Sequence, residues 1–531
     1  MRHFFRAKLA GAAAGALFSL AAPTAQAQVQ AAAQAQATAP VQTIAVTPDQ
    51  LLALTARLDA LEQRNSELER QVQELKATAA AGDQAIRKEL GGTKVAVAGG
   101  RPTLASADGK FTAAFRAGVQ LDASRFSQDA PGPLAADFRR GSVGDAAEAD
   151  RARDFADGAN FRRARVGMEG RLFSDWDYAF LYEFGGTGTE GGGVINAAWL
   201  QYSGFGRTKI RVGAFAPPTG MDDQTSVWGA LFPERSAVGE MVRGIAGADG
   251  RSSLAVLSNG DRWTLSAALT GNVVGQQSFD EQVGLVARAS ILPVKGSDYL
   301  VHLGVNTTQV LEPAAGGPDV APGATRNVRL RERPENRVET VRLVDTGNID
   351  AKRASVWGLE AAGQFKAFTV QSEYFDIGVD RRASPLPSPD FSGWYVQGAW
   401  TLTGQPRRYV AASGSFDAPR IDRPFDFRKG DWGAWELGLR VSELDLNFAE
   451  GGAGTAPRTG AIRGGDQKIT TLGLNWYPNA AVRFSATYQD VQVDRLSAGG
   501  AAFGAGALTP PAGAQVGQDV QIWTLRSQYA F

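Results

Sequence analysis

From residue 110 to the last residue, this sequence repeats in twos. In "FTAAFRAGVQLD", Phe111, Ala113, Phe115, Ala117, Val119 and Leu121 alternate with Thr112, Ala114, Arg116, Gly118, Gln120 and Asp122. "RARVGMEGRL" sets Ala164, Val166 and Met168 against Arg163, Arg165, Glu169 and Arg171, and "AWELGLRV" sets Trp435, Leu437, Leu439 and Val441 against Glu436, Gly438 and Arg440. The final stretch, "VQIWTLRSQYAF", keeps the same stride to its terminal aromatic. Strict alternation over such lengths marks strands with one apolar face. The opposite faces carry several charges per strand, which no dry core could take. The apolar faces are tipped with Trp263, Trp394, Trp400, Trp476, Tyr488, Trp523 and Phe531, the aromatic girdles of a barrel that faces lipid.

The joins support this. Strands near 111–125, 161–173, 176–185, 193–203, 207–216, 251–258, 262–271, 281–292, 298–309, 354–365, 368–378, 391–402, 433–446, 469–477, 481–493 and 520–531 make about 16. Long joins (126–160, 217–250, 310–353, 447–468, 494–519) alternate with tight ones such as "SD", "GFG", "NGD", "KGS", "KA" and "PN"; only 403–432 breaks the rule. An even number of strands, with long loops on one rim and short turns on the other, is the plan of an outer-membrane barrel. Closure pairs the last strand with the first, which lets the chain end in strand register. The expected fold is an all-β transmembrane barrel over 110–531, in contact with outer-membrane lipid, with an N-terminal α-helical coiled-coil segment.

Residues 1–27 have a basic start, the short apolar run "LAGAAAGALFSLAA" and the small residues of "AQA", and so read as a secretory signal peptide removed after Ala27. Residues 28–50 are an Ala/Gln-rich flexible lead. Residues 51–78 carry a heptad seam, with Leu51, Leu58, Asn65 and Val72 at a and Leu54, Leu61, Leu68 and Leu75 at d. Arg57 with Glu62 and Arg64 with Glu69 suit a parallel assembly of chains; a single helix packed on its own protein is the alternative. Residues 79–109, with "GGTKVAVAGGRP", read as a Gly-broken linker.

Lys+Arg and Asp+Glu both number 55, so net charge predicts no nucleic-acid partner. The chain has no cysteine, and His302 is the only histidine beyond the signal peptide. With no "GxSxG" elbow and no His-metal pair, the sequence reads as a non-enzyme with no cofactor or metal.

A barrel of this size leaves an aqueous channel. Parity turns Arg116, Arg163, Arg165, Arg171, Lys209, Arg211, Arg288, Arg440, Arg483 and Arg526 inward, against Asp122, Glu169, Glu360, Glu373 and Glu436. A basic excess in a lumen favours anions, although each arginine could instead brace the wall by pairing with an inward acid. The join 217–250, "PPTGMDDQTSVWGALFPERSAVGEMVRG", is too apolar for a free loop. Folded inward it would narrow the channel and bring Arg235 and Arg243 to the constriction; lying over the outer rim is the alternative.

The ordered segments "FRRARVGMEG", "RVGAFAPPTG", "FPERS", "DRWTLSA", "VWGLEAAGQF", "QSEYF", "GWYVQGAWTLTG", "GAWELGLR" and "TLGLNWYPNAAVRFSATY" resemble the phosphate-selective porin O and P family over about 110–531. The resemblance implies a homotrimer of 16-stranded barrels whose inward loop forms the constriction, with an arginine ladder guiding small anionic solutes such as phosphate. It places Arg162 and Arg163 at paired constriction arginines, whereas parity turns Arg163 inward and Arg162 outward. Where phosphate-selective members carry a lysine, this chain has Asp223 beside Asp222, a pair that repels phosphate unless arginines neutralise it. A structural or adhesive barrel with a plugged pore is the alternative function.

Overall fold

A computed structural model describes residues 47–89, 92–98, 100–128, 155–186, 193–275, 279–317, 325–382, 384–499 and 512–531. The expected signal peptide and most of the expected lead lie outside them. The chain divides into two units, 1–89 and 90–531.

In the first unit, helix α1 spans Pro48–Glu89. A capping box starts it: Gln50 N donates to Thr47 Oγ1, and Thr47 N donates to the Gln50 side chain. Arg70 bridges Glu67 and Glu74 at 2.7 Å, the i,i+3 and i,i+4 neighbours of a helix face. The seam leucines are exposed, from 51% at Leu68 to 70% at Leu75. The helix outruns the seam that ends at 78 because "KATAAAGDQAIRKE" is rich in strong helix formers. The linker reading of 79–109 is therefore corrected at its start. It is corrected again at its end, where Lys94–Ala98 and Arg101–Ala105 form a hairpin around Gly100, whose positive φ suits the turn. That hairpin adds to the barrel sheet through Thr103–Ala105.

Sixteen antiparallel strands close the barrel. They are β1 (Thr112–Gln128), β2 (Gly158–Leu172), β3 (Trp176–Glu183), β4 (Val194–Phe205), β5 (Thr208–Ala214), β6 (Arg251–Asn259), β7 (Trp263–Val273) and β8 (Val283–Lys295). The second half comprises β9 (Tyr299–Glu312), β10 (Ile349–Phe365), β11 (Phe368–Arg381), β12 (Asp390–Thr401), β13 (Ala434–Phe448), β14 (Ile462–Asn479), β15 (Val482–Asp494) and β16 (Val520–Ala530). Closure runs from Val520 opposite Gln128 to Ala530 opposite Gly118, so the last strand pairs with the first as the alternation predicts.

Outward aromatics form two belts. Near the short-turn rim Phe368 stacks on Trp400 and Trp435 on Trp476; higher up, Tyr488 meets Trp523 at 4.9 Å. Between them the outward faces are mostly apolar, with Leu, Val and Ala joined by residues such as Phe180, Ile210 and Ile291, as lipid requires.

Several strands run further toward the long loops than their lipid-facing pattern suggests, and there the polarity of the faces inverts. On β15 the outward row passes from Phe484, Ala486 and Tyr488 to Asp490, Gln492 and Asp494, while the inward row passes from Arg483, Ser485 and Thr487 to buried Val491 and Val493. β11 and β13 do the same, with inward Ile377 and Val379 and inward Leu444 and Leu446. Above the membrane the outside of the barrel meets water, so its inside can hold an apolar core. Leu330, Leu343 and Val344 of the 310–353 loop and Val238 and Met241 of the 217–250 loop fill that core. This inversion is why β10 and β14 start at Ile349 and Ile462 rather than at 354 and 469.

Candidate functional site

The 217–250 loop lies inside the barrel. It holds a short turn of helix at Met221–Gln224, α2, and a longer helix at Ala237–Ala246, α3. Inward glycines on the wall make room for it. A Cβ on Gly118 would meet the Trp228 indole at 2.5 Å, and one on Gly438 would meet Leu231 and Phe232 at 3.0 Å. Glu373 of β11 accepts hydrogen bonds from the backbone N–H groups of Met221 and Asp222, each at 2.8 Å, and pins the loop's start.

Two further segments enter the lumen that the sequence reading did not place there. From the long-loop rim, Glu335 of the 310–353 loop pairs with Arg440 and accepts from Ser442 at 2.7 Å and from Ala237 N at 2.9 Å. From the opposite rim, the 403–432 turn folds upward. Arg407 grips Glu436 at 2.8 Å and reaches the Gly229 carbonyl. Arg288, forked on Glu360 at 2.8 Å, donates to the carbonyls of Ser413 and Gly414. His302 sits between Tyr409 (2.8 Å) and Glu360 (3.1 Å). The long join that broke the alternation of long and short connections is thus an internal brace.

The two predicted constriction arginines both face the lumen, and a β-bulge is the reason. Arg163 pairs with Gln120 while Phe161 pairs with Leu121, so Arg162 is the extra residue between them. Strict alternation would have turned Arg162 to lipid. Arg162 forks onto Glu234 at 2.7 and 2.9 Å, Arg163 lies 3.7 Å from the same carboxylate, and Arg526 holds Asp122 at 2.6 Å and Glu234 at 3.1 Å. Burial opposes ionisation of Glu234, but Arg162, Arg163 and Arg526 outweigh it and hold its carboxyl well below the usual range.

Arg165 bridges Glu183 at 2.5 Å and Asp249 at 3.2 Å. Arg235 donates to the carbonyls of Asp222 and Asp223 and meets Glu240 at 3.3 Å. Arg116 pairs with Glu169 at 2.7 Å, and Arg171 pairs with Asp177 at 3.2 Å near the short-turn rim. Arg211 stacks over Trp199 at 4.2 Å, and Lys209 is half-buried on β5. The acidic pair is already partnered: Asp223 holds Arg243 at 2.7 Å, and Asp222 accepts from Ser236 N at 3.0 Å. The inward arginines are therefore largely tied to acids, and several of those acids come from loops whose positions strand parity could not count.

Between the 217–250 loop, the 403–432 turn and the β1–β16 wall lies an open cavity of about 660 Å³. Arg116, Arg165, Arg235, Arg408 and Arg420 line it, against Asp223, Asp249 and Asp417. Four of the nine residues predicted for the site (Arg116, Arg165, Arg235 and Asp223) meet here, while Arg162 and Arg163 gather around Glu234 above it.

The model of the family described as phosphate-selective porin O and P matches residues 133–503, more than half of the chain. This chain belongs to that family. Among curated proteins it is similar to Porin O of Pseudomonas aeruginosa, 27% identical over 341 residues, spanning 62% of this chain and 76% of the relative. Among solved structures it is similar to the anion-selective porin from Comamonas acidovorans (11% identity, TM-score 0.46, 79% of this chain and 100% of that one). It is also similar to OmpT of Vibrio cholerae (12% identity, TM-score 0.43, 79% of this chain and 99% of that one). The porin is thus an outer-membrane channel protein, and its lumen is shaped by two loops from one rim and a turn from the other.

Proposed function

We propose that this porin passes small anionic solutes by passive diffusion, with the 217–250 loop and the 403–432 turn together forming the constriction. The observation that carries this reading is the charge of the open cavity, where five arginines face three aspartates. Rows of guanidinium groups in a narrow passage favour anions, and their planar forks suit phosphate and carboxylate. The Asp223 carboxylate, tied to Arg243, leaves phosphate compatible with the lining. The exposed heptad seam of α1 supports a parallel homotrimer with this helix on the periplasmic side.

The test is the reversal potential of the purified protein in a planar bilayer under a KCl gradient. Anion preference is expected, and Arg165→Ala with Arg235→Ala should lower the chloride-to-potassium permeability ratio. Cation preference in the unaltered protein refutes the reading. A folded protein with no conductance would favour a plugged structural barrel instead.

A further inference from the structure

Glu234 is a carboxylate surrounded by guanidinium groups from three separate parts of the chain. Arg162 and Arg163 come from β2, Arg526 from β16 and Arg337 from the 310–353 loop, at 2.7, 3.7, 3.1 and 3.7 Å. Arg526 also holds Asp122, and Arg337 also holds Glu240 at 2.9 Å. For Arg162 and Arg163, Glu234 is the one carboxylate in contact among the described residues. Arg163 makes one further bond, to the Gln120 side chain at 2.6 Å, and its buried Nε has no partner. Little room remains: the free space bordered by Glu234, Asp122, Arg337 and Arg440 is about 10 Å³, no more than one water.

The backbone beneath Glu234 is fixed as firmly as its side chain. Arg526 donates to the Pro233 carbonyl at 2.6 Å, Arg440 donates to the Glu234 carbonyl at 3.1 Å, and the Arg440 guanidinium lies 4.6 Å over the Phe232 ring. The loop therefore delivers one carboxylate to one place.

We propose that Glu234 is a built-in occupant of an oxyanion site: its carboxylate fills the arginine pocket that a solute carboxylate or phosphate would otherwise enter, and so sets how tightly the constriction holds such solutes. The proposal rests on the anion-permeation reading above. Forked guanidinium pairs recognise carboxylate and phosphate by the same geometry. A carboxylate held by its own loop competes at a local concentration that dissolved solutes do not reach. The resident carboxylate thus keeps the arginine pocket from retaining oxyanions and leaves their passage to the open cavity beside it, so the pore trades retention for throughput.

The experiment compares the full-length protein with Glu234→Ala and Glu234→Gln in planar bilayers, using inorganic phosphate and acetate as probes of the KCl current. Glu234→Ala removes the carboxylate and leaves space for a small anion. Half-block by phosphate should then occur at a concentration about tenfold or more below that for the unaltered protein, and the block should saturate. Glu234→Gln keeps the shape and removes the charge, and should raise the chloride-to-potassium permeability ratio about threefold or more. Heat-modifiable mobility on SDS gels reports folding; if the alanine variant does not fold, the glutamine variant's reversal potential decides. Folded variants with unchanged phosphate sensitivity and unchanged reversal potential would make Glu234 a wall brace and overturn the proposal. Cation preference in the unaltered protein would defeat anion permeation alone, since the Glu234 claim is read from the differences between variants.

Discussion

Replacing Arg407 by alanine tests whether the 403–432 turn is part of the channel's architecture. Arg407 and Glu436 are 4% and 0% exposed, and the Arg407 Nη1 donates to both carboxylate oxygens at 2.8 and 2.9 Å. Breaking a buried pair by removing one partner costs about 3–5 kcal/mol, because the other charge is left uncompensated. Two donors remain for Glu436, Tyr477 Oη at 2.9 Å and Asn475 Nδ2 at 3.3 Å, which places the expected loss at the low end, about 3 kcal/mol. For a unit running from Leu90 to Phe531, an unfolding entropy of roughly 2 cal/mol/K per residue converts this into a fall in Tm of about 3 °C. The assay is thermal loss of heat-modifiable mobility in detergent, with trypsin cleavage at exposed Arg408 and Arg420 as a local readout. Arg407→Ala should melt earlier and be cut faster in the turn. Adding Glu436→Gln should recover most of the loss, since the stranded charge is then gone. A wild-type melting temperature for Arg407→Ala, or a double variant less stable than the single one, would refute the reasoning.

Two other outcomes follow from the structure. Deleting residues 28–89, which keeps the hairpin at 94–105 on the barrel, should leave conductance per channel unchanged and weaken oligomers in mass photometry; loss of conductance in folded protein would place part of the pore in α1. For Glu240, burial opposes ionisation, but Arg243, Arg337 and Arg235 prevail and hold its carboxyl down at about 2. Because that value is depressed below the ordinary 4.5, its stabilisation is present in full above about 4.5 and is gone once pH has fallen through about 2, so the melting temperature should decline progressively between those values, while chloride selectivity, which follows the native charge, should hold at pH 3.5 and change only nearer pH 2. A change in chloride selectivity centred near pH 4.5 would show that this carboxylate is not held by its arginines.

The strands were legible because lipid and water impose a two-residue period on a barrel wall. The order of long and short joins was legible for the same reason. Arg162 escaped that reading, since a bulge adds a residue that parity cannot see. The inward course of the 217–250 loop could be read from Trp228, Leu231 and Phe232, whose apolar surface needed a wall. The 403–432 turn gave no such signal: Tyr409 and Phe416 are its few anchors, and its hold on the wall comes from Arg407, Arg288 and backbone carbonyls. The acids that cap the inward arginines were hidden because Glu234, Glu240, Asp249 and Glu335 lie on loops, where sequence spacing does not fix direction.

The inversion of faces along β11, β13 and β15 means that the barrel is stabilised in two different solvents. In the lipid band no hydrophobic driving force holds wall to wall, and hydrogen-bonded ladders carry the structure. Above it, inward Ile377, Leu444 and Val491 close over Val238, Leu330 and Leu343 in water, where burial of apolar surface contributes as in any soluble domain. That upper collar should therefore keep the 217–250 and 310–353 loops seated whatever amphiphile surrounds the belt below. Stripping lipid would loosen the wall before it disturbed the constriction.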